Sequence, residues 1–176
     1  QYYELLNLDL VLEKGKGGAG ELLRKTVKER MEWTIEKIFR GLGLFFPFGD
    51  AYFSYVGYTS DEEELRENAI ELIDSRIKGE LRKTLLPIFA ETNPGEVARK
   101  GRRLFGLSSG LDTILSELFF EGDPWLKCCV IAATAALHMD SLKDRIRQAC
   151  EDVNPMVRET AHQALALWGE NPVFGR

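Results

Sequence analysis

Gly15-Lys16-Gly17-Gly18-Ala19-Gly20 has the letters of a phosphate cradle. In a Gly-x-Gly-x-x-Gly loop the glycines let backbone N–H groups close on a pyrophosphate. That loop needs a strand before it and a second strand carrying an acid about 20 residues on. Residues 21–42 read as one helix, which leaves no place for the second strand, and Gly20 is followed by Glu21 instead of the Lys-Ser or Lys-Thr of a P-loop. The stretch therefore reads as a flexible linker. Arg99-Lys100-Gly101-Arg102-Arg103 places four positive charges in five positions. It could hold phosphate, an acidic peptide or anionic lipid; the plainer reading is a solvated, weakly formed helix or loop. Cys128, Cys129 and Cys150 have no Cys-x-x-Cys spacing, and read as small core residues of a reducing compartment. His138 and His162 are too few for a histidine-based metal cluster. The acids from Asp61 to Glu64 sit where a helix begins, and negative charge there suits the positive end of the helix dipole. No catalytic, cofactor-binding or metal-binding residue is assigned, and the chain reads as no enzyme.

The elements that would carry these residues are helices. Asp123-Pro124-Trp125-Leu126-Lys127 and Asn154-Pro155-Met156-Val157-Arg158 each open an apolar stretch. Leu126, Val130, Ala133 and Leu137 match Val157, Ala161, Ala164 and Trp168, a spacing of one helix face. Asp or Asn can cap the orphan N–H groups, and Pro fits the first helical position because its missing N–H has no partner there. Asn93-Pro94 precedes Asp123-Pro124 by 30 residues, which precedes Asn154-Pro155 by 31. One step further back lies Asp61, followed by Leu65-Arg66, Ala69 and Leu72. Two helices per period of about thirty residues predict an α-solenoid of stacked hairpins, with contacts only between neighbouring repeats.

The remaining stretches bracket that array. Residues 1–14 read equally as a weak strand through Leu8, Leu10 and Leu12 or as a short helix. Residues 21–42 carry a stripe of Leu23, Val27, Met31, Ile35, Ile38 and Leu42. From Gly43 to Tyr58 the chain is dense in aromatics, expected to fill the first inter-helix layer, with a sticky partner or membrane surface as the other reading. The domain boundaries follow: 1–20 as N-terminal segment and linker, 21–176 as the repeat domain.

The 176 residues suit one domain burying roughly 70% of its unfolded surface. A net charge of −5 argues against non-specific nucleic-acid binding. The longest uncharged apolar run, Cys128 to Leu137, is far short of the ~20 residues that span a bilayer.

The Asp-Pro-x-Val-Arg-x-x-Ala pattern resembles short HEAT repeats, well over 61–91 and 123–168, less well over 93–121. A closer likeness runs from Glu21 onward through Glu-Lys-Ile-Phe-Arg-Gly-Leu-Gly-Leu-Phe-Phe-Pro (36–47), Glu-Asn-Ala-Ile-Glu-Leu-Ile-Asp (67–74), Leu-Arg-Lys-Thr-Leu-Leu-Pro (81–87) and Asp-Pro-Trp-Leu-Lys (123–127). These are similar to the HEAT-repeat region of large bacterial proteins that carry an ATP/ADP-translocase-like or major-facilitator-like membrane domain, often with a cyclic-nucleotide-binding-like domain. The resemblance implies an all-α, armadillo-like superhelix, cytoplasmic, part of a larger membrane protein, with no established catalytic residues.

The expected function is thus a non-catalytic scaffold for protein–protein or interdomain interaction, its partner another domain of the same chain, with no cofactor. The alternative is a nucleic-acid or anionic-ligand module using Arg99, Lys100, Arg102 and Arg103. The second helices of successive repeats should line the working face. The candidate partner-binding residues are Tyr52, Tyr55, Arg82, Lys83, Lys143 and Arg147, together with Trp125, one position inside a helix start.

Overall fold

The computed structural model describes residues 1–13, 20–47, 49–108, 110–121 and 123–170, the side chains of residues 120 and 121 apart. The glycine-rich loop reading at 15–20 lies, Gly20 excepted, outside the described residues. Ten α-helices occur among the described residues, and no strand. They are α1 Tyr2–Glu13, α2 Glu21–Leu42, α3 Asp50–Tyr58, α4 Glu63–Arg76, α5 Gly79–Ala90, α6 Pro94–Phe105, α7 Leu111–Glu121, α8 Pro124–Ala136, α9 Lys143–Ala149 and α10 Pro155–Leu167. A 3-10 turn at Asp140–Leu142 leads into α9. The all-helical class expected from the sequence is the class observed.

Helix starts follow the residues that mark them. The side chains of Asn93, Asp123 and Asn154 accept from backbone N–H groups of α6, α8 and α10, and Pro takes the first turn each time. Each such cap contributes about 0.5–2 kcal/mol. A second device recurs two residues earlier. The Ser60 hydroxyl accepts from the Glu62 N–H at 3.1 Å, the Glu91 carboxylate from Asn93 at 3.2 Å, and the Asp152 carboxylate from Asn154 at 2.8 Å. Arg66 and Arg158 each donate to the carbonyl six residues back, that of Ser60 at 2.9 Å and that of Asp152 at 2.7 Å. In α4 the cap position is Glu62, one residue past Asp61.

The chain divides into two compact units. The first holds Gln1–Asn7 and Glu29–Leu107, the second Leu8–Lys28 and Ser108–Arg176, so α1 and α2 each supply residues to both.

In the first unit α3 packs on α4, α4 on α5, and α5 on α6. The α3–α4 crossing is close because Gly57 has no side chain: a Cβ there would lie 2.8 Å from the Leu65 carbonyl oxygen and 3.0 Å from the Ala69 Cβ. Gly57 meets the backbone of Leu65, so the Leu65 side chain points out and is 43% exposed, although the periodicity placed it inward. Ala69, Ile73 and Ile77 are buried instead. Phe39, Tyr55, Tyr58 and Phe89 form one ring cluster, with centroids 5.1–5.7 Å apart in the four pairs Phe39–Tyr55, Phe39–Tyr58, Phe39–Phe89 and Tyr58–Phe89. The open reading of residues 1–14 resolves as helix. Tyr3 on α1 donates its hydroxyl to the Thr84 carbonyl at 2.7 Å, and its ring lies against Gly101 and Phe105.

In the second unit α8 packs against α7 and α10, and α10 against α9. Leu126, Val130 and Ala133 are buried on α8, as Val157, Ala161 and Ala164 are on α10. Leu137 and Trp168, the last members of the two expected stripes, fall one residue past their helices, where the face no longer continues; Leu137 is 40% exposed. The Thr26 hydroxyl shares a hydrogen bond with the buried Cys129 thiol across 103 residues of sequence. Contacts this distant, like those of Tyr3, depart from the expected strictly neighbour-to-neighbour stacking. Tyr3, Leu5, Leu6 and Leu8 of α1 and Leu23 and Val27 of α2 are buried, and this surface needs cover from later helices.

Gly101→Ala is expected to destabilise the protein, because the new Cβ would stand 2.3–2.7 Å from the Cβ, Cγ and Cδ1 atoms of Tyr3. Gly41→Ala, in α2 with nothing within 4 Å, should stabilise it by up to about 1 kcal/mol through helix propensity. Urea unfolding of the two variants checks the opposite signs.

Candidate functional site

The aromatic stretch from 43 to 58 meets a geometric limit. Helix α3 has nine residues, and Tyr52, Phe53, Tyr55, Val56 and Tyr58 put large side chains on every side but the one holding Ala51, Ser54 and Gly57. Ser54 and Gly57 take the crossing with α4 and are buried, and Tyr55 and Tyr58 lean into the ring cluster. Burial pushes the Tyr58 phenol upward, against the opposing pull of Arg66. Tyr52, Phe53 and Val56 are left on the outer side, 67%, 69% and 46% exposed. The turn after α2 adds to them. Leu44 and Phe45 donate their N–H groups to Gly41 and Leu42, and this tight bend leaves both side chains exposed while Phe46 is buried. Part of the ring set thus fills the inter-helix layer as expected, and part forms an apolar surface of the kind that marks interaction sites.

A pocket of about 370 Å³ opens beside this surface, lined by Glu36, Phe39, Arg40, Gly43, Ala51, Tyr52 and Tyr55. Its base is the buried Phe39 ring. Glu36 and Arg40, one turn apart, join at 2.6 Å on its wall. Asp50, in the first turn of α3 behind the cap residue Gly49, anchors that helix to Arg76 at 2.8 Å.

The other expected contact residues are held by carboxylates. Arg82 grips both oxygens of Asp74 at 2.5 and 3.1 Å, which lowers that carboxyl, and Lys83 meets Glu80 at 2.6 Å. Lys143 and Arg147 converge on Glu170 at 2.8 and 2.5 Å, and Arg147 also takes Asp144. These two bases push the Glu170 carboxyl down to about 2, while Lys143 lies 5.5 Å from the Trp168 ring. Trp125 is 44% exposed at the start of α8. Of the expected partner-binding set, the structure brings Tyr52 and Tyr55 to one pocket. Phe45 and Phe53 belong to the aromatic stretch whose second reading was a sticky surface, while Leu44 and Val56 were not singled out; the signal was the number of large rings packed into a nine-residue helix and one turn.

The basic segment lies on a formed helix, α6, whose inward face is Val97, Ala98 and Gly101. Arg99 pairs with Glu96, Lys100 meets Glu91 at 3.4 Å, and Arg102 donates to the Asn7 side-chain oxygen at 2.7 Å. Gly101 is where Tyr3 of α1 touches the helix, a packing reason for a glycine among bases. Among the described residues, no group of three His, Cys, Asp or Glu side chains could hold a metal ion, and no helix is long and apolar enough to cross a membrane.

Arg102→Met should destabilise the protein by about 1–3 kcal/mol, since it takes a charged donor from an amide on a residue only 3% exposed. Arg103→Ser should stay within about 0.5 kcal/mol; urea unfolding reads both. The pH dependence of the α9 corner follows from Glu170. Its carboxyl is depressed in the folded chain, so its contribution is fully present above the ordinary value of 4.5 and is lost as pH falls from there through about 2. Trp168 fluorescence is expected to change over that window, and Glu170→Gln should remove the change.

No protein-family model, no curated protein and no solved structure matches the chain.

Proposed function

We propose that the chain is a non-catalytic interaction scaffold that docks a protein partner, another domain of its own longer chain, on the α2–α3 corner. One observation carries the reading: Tyr52, Phe53 and Val56 stand exposed on α3, Leu44 and Phe45 in the turn before it, and Tyr52 also lines a pocket shared with the buried Phe39. Aromatic side chains around a side-chain-sized cavity are what interface anchors use. The expected charges on α5 and α9 are engaged with neighbouring carboxylates, which favours an apolar contact over a charged groove.

The finer fold reading is a HEAT-like α-solenoid, armadillo-like in class. Its support is the recurrence of pre-cap acceptor and back-donating arginine near residues 60–66 and 152–158, with the acceptor again at 91–93 and side-chain caps at Asn93 and Asn154, a period of about 31 residues. The resemblance of 36–47, 67–74, 81–87 and 123–127 to transporter-associated HEAT regions supports reading the scaffold as a regulatory piece on the cytoplasmic face of a membrane protein. The anion-binding alternative on α6 has less behind it, because three of its four bases are already engaged.

Amide exchange in the intact gene product, compared with the 176-residue chain alone, tests this. Slower exchange across 41–58 in the intact protein is the expected outcome. Equal rates there, with slowing elsewhere or nowhere, would remove the corner as the docking surface.

A further inference from the structure

The carboxylates beside the aromatic corner narrow the partner. Helix α3 runs through Thr59 and Ser60 into Asp61, Glu62, Glu63 and Glu64, and α4 continues with Glu67 and Glu71; all six acids are exposed. Six other carboxylates of the first unit take bases: Glu36 with Arg40, Asp50 with Arg76, Asp74 with Arg82, Glu80 with Lys83, Glu91 with Lys100 and Glu96 with Arg99. None of the six is in an ion pair among the described residues. Arg66, the base in their midst, has its guanidinium turned to the Ser60 carbonyl. The chain that follows the apolar helix therefore carries a net negative charge, six exposed carboxylates against the one base Arg66.

Resting on the docking reading above, we infer that the partner segment is a basic amphipathic helix. Its apolar face would cover Tyr52, Phe53 and Val56 and place one large side chain in the pocket over Phe39, while its Lys and Arg residues face the acids of α4. Charge complementarity selects this occupant. An anionic membrane surface carries the same sign as the six carboxylates and is repelled by them. The exposed face belongs to helix and turn, so it offers no strand edge for an extended peptide; a helix laid along it with anchors at i, i+3 or i+4, and i+7 fits. Six unpaired acids also steer a cationic partner from a distance, which makes association sensitive to salt.

Two synthetic amphipathic helices with the same Leu/Trp face, one with Lys and Arg on the polar face and one with Glu, provide the test by calorimetric titration against the whole chain. The basic peptide should bind at least ~10-fold more tightly at about 0.05 M salt, and the difference should shrink at about 0.5 M. Glu64→Lys/Glu67→Lys/Glu71→Lys should invert the preference, and Tyr52→Ser/Phe53→Ser should abolish both interactions, with circular dichroism unchanged in each variant. Equal binding of the two peptides would overturn the basic-partner inference and leave the docking corner standing. Binding of neither would overturn both. Sedimentation showing the chain alone to be a dimer that Tyr52→Ser/Phe53→Ser dissolves would assign the face to a second copy and likewise overturn the inference.

Discussion

Helix α8 has almost no polar face. Of its thirteen residues eight are buried: Leu126, Cys128, Cys129, Val130, Ile131, Ala133, Thr134 and Ala135. A helix apolar on nearly all sides must be covered on nearly all sides. At about 1.5–3 kcal/mol for each large side chain removed from water, Leu126, Val130 and Ile131 alone outweigh any single polar contact in the second unit. The rest of that unit follows from this demand. Helices α7 and α10 pack on α8, and the Thr26 hydroxyl at the Cys129 thiol marks where α2 meets it. The seam is pinned at its edge, where Lys127 of α8 reaches Asp152, two residues ahead of the α10 cap, at 3.2 Å.

The parts of the fold that were legible in the sequence are those written in local chemistry. Asn or Asp before Pro marked the starts of α6, α8 and α10, and the first three members of the 4-3-4 stripes marked the inward faces of α8 and α10. What the sequence did not show depends on distance along the chain. Nothing near Gly101 reveals that Tyr3 will lie on it, so a glycine among bases looked like a solvated, weakly formed helix or loop. Nothing near Leu65 reveals that a backbone crossing at Gly57 will turn its side chain outward. Leu8, Leu10 and Leu12 alternate like a strand, yet Leu5, Leu8 and Leu12 are also spaced for a helix, and tertiary cover decided the matter.

The candidate site was half legible for a related reason. Composition shows that residues 43–58 carry more ring surface than one turn and one short helix can hide, but it does not show which rings lose. That depends on which side of α3 meets α4, and Gly57 determines it. Charges were over-read by the same route. Arg82, Lys83, Lys143 and Arg147 look available as isolated letters, while in three dimensions each already has a carboxylate within 3 Å.

Helices α1 and α2 each supply residues to both compact units, and this bears on how the chain folds as it is made. A ribosome releases residues 1–107 first, so the first unit has all its parts before the second does. Leu8, Leu23 and Val27 belong to the second unit, and in the finished protein they are at most 1% exposed. During synthesis they must wait for the rest of that unit, which begins at Ser108. For several seconds, at roughly 5–20 residues per second, that apolar stretch has no native cover. The nascent chain in that interval is a natural client for a chaperone, and rare codons between 108 and 136 would lengthen its exposure.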